Sequence, residues 1–422
     1  MNHELTKDFI NAHLNDDVNK LALSKFPDDI DKQFVIRQIQ ARQLLKKKLP
    51  SWSENDELLF PKRLSLEQCS SELTAKYKRA ISHRDEEAQC NISENQCRSE
   101  GEKRTLIDLT GGMGVDTSFL SDNFDETIYV ESQAGLCELA EHNFKVLKKN
   151  IKVVNAKAED FLTQCGEVDC IYLDPARRDE YGRKMVSLHD CSPDVAELQD
   201  LLFEKTNTVI VKLSPMLDID IIKKELNNIK EIHVVAVKNE CKEVLVLCQR
   251  TTDNGQQISS KACSQLITID LRENWSFTFS EDEEQEAVPT FADEIGKYLY
   301  EPGVACMKAA PFKLLSQRFN IKKLHRNSHL YTSDELVADF PGRTFEVINV
   351  VPFDKKAKKI LSQQTTDNGQ QSLSKVSIAV RNFPLSAEEL RKHLSFKDGD
   401  DFYIFGTTMK GDKKVLILGS KC

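Results

Sequence analysis

Between residues 104 and 250, short runs of β-branched and aromatic residues alternate with longer amphipathic segments. The runs are, in chain order, TLIDL, TIYVE, IKVVNA, VDCIYLD and TVIVKLS. The segment SQAGLCELAEHNFKVLKK, which lies between two of them, has the apolar spacing of a helix. Strands that alternate with helices in this way are typical of a parallel sheet covered by helices on both faces. The pattern therefore predicts an α/β domain over residues 104–250.

The last part of this domain departs from the alternation. EIHVVAVKNECKEVLVLCQ consists of two apolar runs separated by the short polar segment KNECK. Two strands joined by so short a connection must run antiparallel, because a parallel pair needs a crossover of a dozen residues or more. We therefore expect the sheet to end in an antiparallel hairpin.

Residues 1–84 have the spacing of helices. In KQFVIRQIQARQLLKKKLPSW, the apolar positions fall at helical intervals, and they are Phe34, Val35, Ile39, Leu44 and Leu45. Pro50 is expected to end that helix, and a second helix, SLEQCSSELTAKYKRAI, is expected after Pro61. Residues 85–103 are polar, charged and without periodicity, which indicates a linker or an exposed loop.

An eleven-residue segment occurs twice in the second half of the chain. TTDNGQQISSK at residues 251–261 returns as TTDNGQQSLSK at residues 365–375. Both copies are polar and rich in turn-forming residues, so we interpret them as surface loops or linkers. They would delimit a middle α+β module at residues 262–364 and a small C-terminal module at residues 375–422 with the order β-α-β-β.

Composition restricts the class of protein. The 422 residues carry a formal net charge of −9, so the chain as a whole is not electrostatically suited to nucleic acid, and only local basic clusters could bind it. The twelve cysteines form no CxxC pair, and several lie within apolar runs, which is typical of reduced thiols rather than of disulfides or a zinc site. The sequence shows no signal peptide and no apolar run of membrane-spanning length. We expect a cytoplasmic protein that binds neither a membrane nor a metal.

The candidate chemistry begins where the first predicted strand ends. Asp108 is followed by Gly111, Gly112 and Gly114, and Glu131 lies 23 residues after Asp108, at the end of the next strand. A P-loop is excluded because no Gly-Lys-Ser/Thr follows the glycines. A dinucleotide site remains open, since Glu131 stands where an acidic group meets ribose hydroxyls. However, Asp108 would repel a pyrophosphate, and it suits a cofactor that has no phosphate and carries a positive centre.

Taken together, these features resemble the class I S-adenosylmethionine-dependent methyltransferases over residues 105–250. The resemblance implies a Rossmann-like seven-stranded sheet and S-adenosylmethionine as cofactor. The motif DLTGGMGVD and the positions that follow it imply these cofactor-binding residues: Asp108, Thr110, Gly111, Gly112, Gly114, Glu131 and, in AEDF, Glu159 on the adenine side. The motif LDPARR implies Asp174 and Pro175 as catalytic residues at the acceptor.

The sequence departs from the family pattern at two positions. Lys157 stands where the family often has an aspartate beside the adenine, which leaves the adenine partner open. Ala176 replaces the second proline of the family's acceptor motif, and no aromatic residue follows it to stack on a base, which leaves the methylated atom open.

The segment LSLEQCSSELTAKYK and the C-terminal β-α-β-β module resemble a bacterial methyltransferase group that carries a THUMP-like C-terminal module. THUMP-type modules are associated with RNA, so the resemblance implies an RNA partner. Basic clusters are consistent with one: Arg177, Arg178, Arg183 and Lys184 beside the acceptor motif, the stretch 32–48, and Arg381, Lys410, Lys413 and Lys414 near the C-terminus. Solvated charged faces would explain the same clusters.

Lys212 and Ser214, in KLSPML, end the fifth strand at the same sheet edge, where we expect them to bind substrate. The sequence thus predicts an RNA methyltransferase acting on a base amine. A methyltransferase for a small molecule or a protein, and an inactive RNA-binding protein with this fold, are the alternatives.

Overall fold

The computed structural model describes residues 3–90, 103–177, 187–253, 256–258, 263, 265–363, 375–399 and 401–422. The chain divides into two compact units. The first unit comprises Met1–Lys230 and Val244–Ala262, and the second comprises Glu231–Glu243 and Cys263–Cys422. Residues 231–243 of the second unit and residues 244–249 of the first unit belong to one long β-hairpin.

The first unit opens with six helices: α1 (His3–Ala12), α2 (Val18–Leu23), α3 (Lys32–Leu45), α4 (Pro50–Ser53), α5 (Arg63–Gln68) and α6 (Glu72–Cys90). Asp31 begins α3 because its side chain accepts hydrogen bonds from the first free backbone amides of the helix. The apolar face of α3 is buried at Val35, Ile39 and Leu45, as the spacing predicted.

The helix boundaries differ from the prediction in three places. Helix α3 ends at Leu45, before Pro50, and Pro50 begins α4 instead of ending α3. The helix expected after Pro61 is divided into α5 and α6, because the chain leaves helical geometry between Gln68 and Glu72. In addition, α6 continues to Cys90, so residues 85–90 are helical and not part of a loop. The polar sequence of these residues, which has no apolar periodicity, concealed the helix. Residues 91–102 of the expected linker lie outside the described residues.

The α/β part of the first unit follows. Its elements are β1 (Thr105–Asp108), α7 (Val115–Leu120), β2 (Glu126–Glu131), α8 (Ala134–Val146), β3 (Ile151–Asn155), α9 (Ala158–Gln164), β4 (Cys170–Leu173), β5 (Ala176–Arg177), β6 (Cys191–Ser192), α10 (Val195–Lys205), β7 (Thr208–Leu213), α11 (Ile219–Glu225), β8 (Ile229–Val237), β9 (Glu240–Gln249), β10 (Thr251–Asp253) and β11 (Gln256–Ile258). Every strand expected in this region is present.

The sheet has the predicted topology. Strands β3, β2, β1, β4 and β7 lie side by side and parallel, and β9 pairs antiparallel with β7. Strands β8 and β9 form the expected hairpin, whose turn is only Lys238 and Asn239, both with positive φ as a two-residue hairpin turn requires. The strand order β3-β2-β1-β4-β7-β9-β8 confirms the Rossmann-like order of seven strands. The expectation that the sheet ends at the hairpin is wrong, because two further strands continue it beyond β8 to nine strands among the described residues.

The second unit adds strands to the hairpin and builds a sheet of its own. Its further elements are β12 (Gln265–Asp270), β13 (Trp275–Phe279), α12 (Glu281–Glu286), β14 (Tyr298–Pro302), α13 (Val304–Ala309), α14 (Phe312–Arg318), β15 (Lys322–Lys323), β16 (Tyr331–Ser333), β17 (Gly342–Pro352), α15 (Ala357–Ser362), β18 (Ser377–Arg381), α16 (Ala387–Leu394), β19 (Phe402–Thr408) and β20 (Lys414–Lys421). Strand β12 pairs parallel with β8, and β13 pairs antiparallel with β12. The separate sheet has the order β15-β16-β14-β17-β20-β19-β18.

The C-terminal β-α-β-β order is present as β18, α16, β19 and β20, but its expected boundary differs. Strand β17, which the sequence placed in the middle module, pairs with β20 from Phe345 to Pro352. One apolar cluster also joins Val351 and Leu361 to Ile404 and Leu418. The expected middle and C-terminal modules therefore share a sheet and a core. Of the repeated segment, the first copy contributes the small hairpin of β10 and β11, and residues 365–374 of the second copy lie outside the described residues.

No helix among the described residues is both long and apolar enough to cross a membrane.

Candidate active site

The predicted site residues meet at one edge of the first unit's sheet. Asp108, Glu131 and Asp174 end or directly follow β1, β2 and β4, and Lys212 lies near the end of β7. Because these four strands are parallel, their carboxyl ends face the same way. This edge is where open α/β sheets bind their ligands.

Glycine is needed at the three positions of the loop for different structural reasons. A Cβ on Gly111 would lie 2.1 Å from the ring of Tyr129, and a Cβ on Gly114 would lie 2.7 Å from the ring of Phe144. Gly112 has a φ of +54°, and a Cβ there would meet nothing closer than 3.8 Å. Two glycines thus let the loop pack on aromatic rings, and only Gly112 leaves its backbone open on the side where a Cβ would be.

Strand β2 holds this loop in place. The hydroxyl of Tyr129 donates to the carbonyl of Gly112 at 2.6 Å, and the amide of Gly112 donates to Oε2 of Glu131 at 3.0 Å. The other carboxylate oxygen accepts from the amide of Gln133 at 2.8 Å. Oε1 also accepts from the hydroxyl of Ser132 at 3.1 Å, whereas Oε2 accepts from Gly112 and can accept a second hydrogen bond. Glu131 can therefore hold the loop and still bind a hydroxyl group.

Asp108 is buried beneath the loop. One carboxylate oxygen accepts from the amide of Thr110 at 3.0 Å, and the other accepts from the hydroxyl of Thr117 at 2.5 Å. Burial raises the pKa of Asp108 to about 7, although these two hydrogen bonds oppose the rise. With 1% of its surface exposed, Asp108 connects the loop to α7. This burial favours a bracing role over the direct cofactor contact that the sequence predicted.

Asp174 faces the glycine loop from the end of β4. Its amide donates to the hydroxyl oxygen of Thr110 at 2.6 Å. Its side chain is 36% exposed and forms an ion pair with the ammonium group of Lys212, which is 12% exposed. Lys212, predicted as a substrate contact, is therefore engaged with the proposed catalytic carboxylate.

Three of the remaining predicted site residues, Pro175, Ser214 and Glu159, are described with their side chains. Pro175 and Ser214 are half-buried on the turns after β4 and β7. Glu159 is half-buried in the first turn of α9. Arg177 is the last residue of β5, where only its backbone is described, and Arg178 lies outside the described residues, as do Arg183 and Lys184.

Sequence reasoning missed a buried polar cluster behind the loop. Oδ2 of Asp116, in the first turn of α7, accepts from Ser70 at 2.7 Å and from Tyr172 at 2.8 Å. The ammonium group of Lys78, on α6, lies 3.2 Å from Oδ1 of Asp116. Burial alone would raise the pKa of Asp116, but the ammonium groups of Lys78 and Lys212 and these hydrogen bonds outweigh it and hold the pKa below its usual range.

Parts of the predicted basic clusters have structural roles. Arg42 is buried, donates to the carbonyls of Asp56 and Leu58, and lies over the ring of Phe60. Lys48 donates to two backbone carbonyls of α5. Near the C-terminus, Arg381 pairs with Glu301, and Lys410 pairs with Asp293. These four basic residues therefore bind groups of the protein itself.

Cys191 and His189, which follow the acceptor motif along the chain, have structural surroundings. Cys191 is buried, and Nδ1 of His189 lies 2.9 Å from a carboxylate oxygen of Asp194. His189, Asp194 and Glu197 are close enough to share a metal ion. However, Asp194 also caps α10, since it accepts from the amide of Glu197, so the group has a structural explanation.

Two family models match the second unit. Residues 298–341 match a ferredoxin-like domain, and residues 342–421 match a model described as THUMP domain-like. The second match begins at the first residue of β17, in agreement with the pairing of β17 and β20 and 33 residues before the boundary expected from the sequence. No curated protein is similar enough to count as a match.

Solved structures extend the comparison to the whole chain. The crystal structure of a "putative methyltransferase" from Porphyromonas gingivalis W83 is 32% identical, with a TM-score of 0.82, and the match covers 99% of this chain and 98% of that one. A "putative RNA methyltransferase" from Pyrococcus horikoshii is 14% identical over 47% of this chain and 96% of that one, with a TM-score of 0.30. A "putative methyltransferase complexed with SAH" is 15% identical over 34% of this chain and 44% of that one, with a TM-score of 0.27.

The Porphyromonas protein is related to this chain over nearly its whole length, and the C-terminal region matches a THUMP-like model. The first unit has the strand order of the methyltransferase sheet, with acidic residues at the ends of β1 and β2. The chain belongs to the class I S-adenosylmethionine-dependent methyltransferases, in the bacterial group that carries a THUMP-like C-terminal domain.

Proposed function

We propose that this protein uses S-adenosylmethionine to methylate RNA, with a base amine as the acceptor. The observation that carries the proposal is the hydrogen bond from the amide of Asp174 to the hydroxyl of Thr110. This bond joins a glycine loop of the kind that binds a cofactor to the loop that carries the proposed acceptor-binding carboxylate. A methyl transfer needs donor and acceptor held in line at one place. Two such loops tied together at one sheet edge provide that arrangement.

The residues of the edge fit this cofactor. Asp108, Glu131 and Asp174 are all acidic and lie at the ends of three neighbouring strands, a set that suits a positively charged cofactor without phosphate better than a pyrophosphate. S-adenosylmethionine has no phosphate, and it supplies an activated methyl group on a positively charged sulfur. Glu131 would accept hydrogen bonds from the ribose hydroxyls, while the open backbone at Gly112 and the hydroxyl of Thr110 would lie along the cofactor. Glu159 is our proposed partner for the adenine.

Asp174 would orient the acceptor. Its half-exposed carboxylate can accept a hydrogen bond from an amine and so direct the nitrogen lone pair, while Pro175 fixes the turn that presents it. Asp174 forms an ion pair with Lys212, and a carboxylate accepts a stronger hydrogen bond than a neutral group does. An amine acceptor therefore fits the site better than a carbon acceptor, because methylation at carbon would need an additional nucleophilic side chain from the protein.

The THUMP-like match supports RNA as the substrate class, because modules of that type are associated with RNA. Arg177 and Arg178 follow the acceptor motif directly, and with Ser214 they are our proposed contacts to the substrate backbone. A small molecule or a protein as acceptor would need no such module.

Calorimetry with S-adenosylmethionine tests the cofactor. We expect the wild-type protein to bind it and Glu131→Gln to bind it at least tenfold more weakly, since a ribose contact to a charged group is worth about 1.5–3 kcal/mol. Glu126→Gln is the matched control, because Glu126 begins the same strand, is exposed and pairs only with Lys103 in the described structure. No binding at millimolar concentration would refute the proposal.

Transfer of a labelled methyl group tests the acceptor. The protein is incubated with labelled cofactor and total RNA from a strain that lacks the gene, and the RNA is digested and analysed as nucleosides. Label in an N-methylated base is the expected result. Label only in protein or in small molecules would refute the RNA assignment, and cofactor binding without any transfer would favour an inactive RNA-binding protein.

A further inference from the structure

Behind the proposed acceptor site, four charged side chains of the first unit follow one another with alternating sign. Lys78 of α6 lies 3.2 Å from Asp116 of α7, Asp116 lies 4.0 Å from the ammonium group of Lys212, and Lys212 pairs with Asp174. We name these four residues the charge chain. It runs from the N-terminal helices to the carboxylate that would contact the acceptor.

Most of the charge chain is shielded from solvent. The side chain of Lys78 is fully buried, and those of Asp116 and Lys212 are 9% and 12% exposed, whereas that of Asp174 is 36% exposed. Charges act on one another much more strongly in such surroundings than on the surface. A change of charge at the buried end should therefore be felt at the exposed end.

Hydrogen bonds fix the geometry of the buried end. Ser70 accepts a hydrogen bond from Lys78 at 3.0 Å and donates one to Asp116, which also accepts from Tyr172. Tyr172 is in β4, two residues before Asp174, so the same strand carries both the support and the acceptor carboxylate. Lys212 then lies between two carboxylates, one held rigidly in the interior and one facing the site.

We propose that Lys78 and Asp116 are positioning residues of the acceptor site, which hold Lys212 between two carboxylates and thereby set the electrostatic potential at the acceptor position. The inference rests on the proposed cofactor site and adds the N-terminal helices to it, since Lys78 belongs to α6. In the complete charge chain, two positive and two negative groups balance. Loss of either buried member leaves a net charge beside the acceptor position.

The sign of that net charge can be measured with two ligands. S-adenosylhomocysteine is neutral at sulfur, whereas sinefungin carries an ammonium group where the transferable methyl group would be. The ratio of their dissociation constants therefore reports the electrostatic potential at the acceptor position, and a change that only loosens the fold alters both constants alike.

The two single variants should shift this ratio in opposite directions. Asp116→Asn removes a negative charge, so the binding of sinefungin should weaken relative to that of S-adenosylhomocysteine by roughly threefold or more. Lys78→Met removes a positive charge and should strengthen sinefungin by a similar factor. The double variant restores neutrality and should return the ratio to the wild-type value.

Lys76→Met and Asp122→Asn are the matched controls, because Lys76 lies on α6 as Lys78 does, Asp122 lies two residues after the end of α7, and both side chains are exposed. Neither control should change the ratio. Thermal unfolding identifies the variants that are folded. Because the ratio of dissociation constants is expected to shift in a definite direction for each single variant, one folded variant is sufficient to test the inference. Binding of both ligands with an unchanged ratio, or shifts of the same sign in both variants, would overturn the inference. If the wild-type protein bound neither ligand, the proposed function would fall and the inference with it.

Discussion

The amide of Asp174 donates a hydrogen bond to the hydroxyl oxygen of Thr110 at 2.6 Å, across 64 residues of sequence. Thr110 lies in the glycine loop after β1, and Asp174 directly follows β4, which is the neighbour of β1 in the sheet. The same loop is held on its other side by Glu131 and Tyr129. The glycine loop is thus fixed from both neighbouring strands, and the acceptor carboxylate is placed relative to it.

The bond between Thr110 and Asp174 gives a first prediction. Thr110→Val keeps the shape of the side chain but removes the acceptor, so Asp174 should lose its position. We expect methyl transfer from the bound cofactor to fall roughly tenfold, the equivalent of one hydrogen bond, in addition to any weakening of cofactor binding. Single-turnover transfer and calorimetry measure the two effects. Thr110→Ser retains the hydroxyl and should retain the activity; a serine variant as slow as the valine variant would contradict this explanation.

The packing of Gly111 gives a second prediction. In Gly111→Ala, the new methyl group would lie 2.1 Å from the ring of Tyr129, which is itself buried. Relief of that overlap requires the loop or the ring to move, and we expect a loss of about 2–3 kcal/mol in the free energy of unfolding. Gly135→Ala is the control, because a Cβ there meets nothing within 4 Å, and a helical alanine should be neutral or stabilising by up to about 1 kcal/mol. Urea unfolding of the two variants compares them, and equal stabilities would contradict the prediction.

The sequence predicted the sheet of the first unit because its strands are continuous apolar runs and because its hairpin has a short polar turn. It also placed Asp108, Glu131 and Asp174 at one edge, since the ends of parallel strands coincide. The charge chain was not predictable in the same way. Lys78 is a lysine in a polar helix, and nothing in its neighbours distinguishes a buried lysine from a solvated one.

Long-range pairing explains the other differences between prediction and structure. The pairing of β17 with β20 joins segments about 70 residues apart, and local periodicity contains no information on such partners. The glycine pattern indicated a loop but not its reason, because the rings that require Gly111 and Gly114 belong to β2 and α8. Arg42 was assigned to a basic surface for the same reason, as the carbonyls that it binds lie in another part of the chain.

A buried carboxylate in the second unit gives a third prediction. Glu301 is 3% exposed and pairs with Arg343 and Arg381, which come from two different strands. Glu301→Gln leaves two guanidinium groups without their anion, and we expect it to destabilise this unit by about 2–3 kcal/mol. Hydrogen exchange of the amides of β14 and β17 measures the loss. Glu388→Gln removes an exposed carboxylate from an ion pair with Lys392 and should cost less than about 0.5 kcal/mol. Unchanged protection of β14 in the first variant would refute the prediction.

The pKa of Asp108 gives a fourth prediction, on stability against pH. Burial raises this pKa from 3.8 to about 7, so between those values the folded protein binds a proton that the unfolded chain releases. The contribution of Asp108 to the free energy of unfolding must therefore fall as the pH rises from about 4 to about 7, and it levels off above 7. Asp108→Asn is neutral at every pH and lacks this dependence. Relative to the variant, the wild-type protein should lose about 2 kcal/mol between pH 5 and pH 8.

Urea unfolding of both proteins across that pH range measures the difference. The fluorescence of Trp52, which is buried in the first unit, reports on the relevant unit when Trp275 is replaced by phenylalanine in both. The lowered pKa of Asp116 has the opposite effect, since the stability that it contributes is lost as the pH falls, but it is present in both proteins and cancels. The exposed Asp122→Asn variant should follow the wild-type curve. Parallel curves for the wild-type protein and Asp108→Asn would contradict the prediction. They would show that Asp108 is ionised throughout this range, so that interactions beyond its hydrogen bonds to Thr110 and Thr117 offset the effect of burial on its pKa.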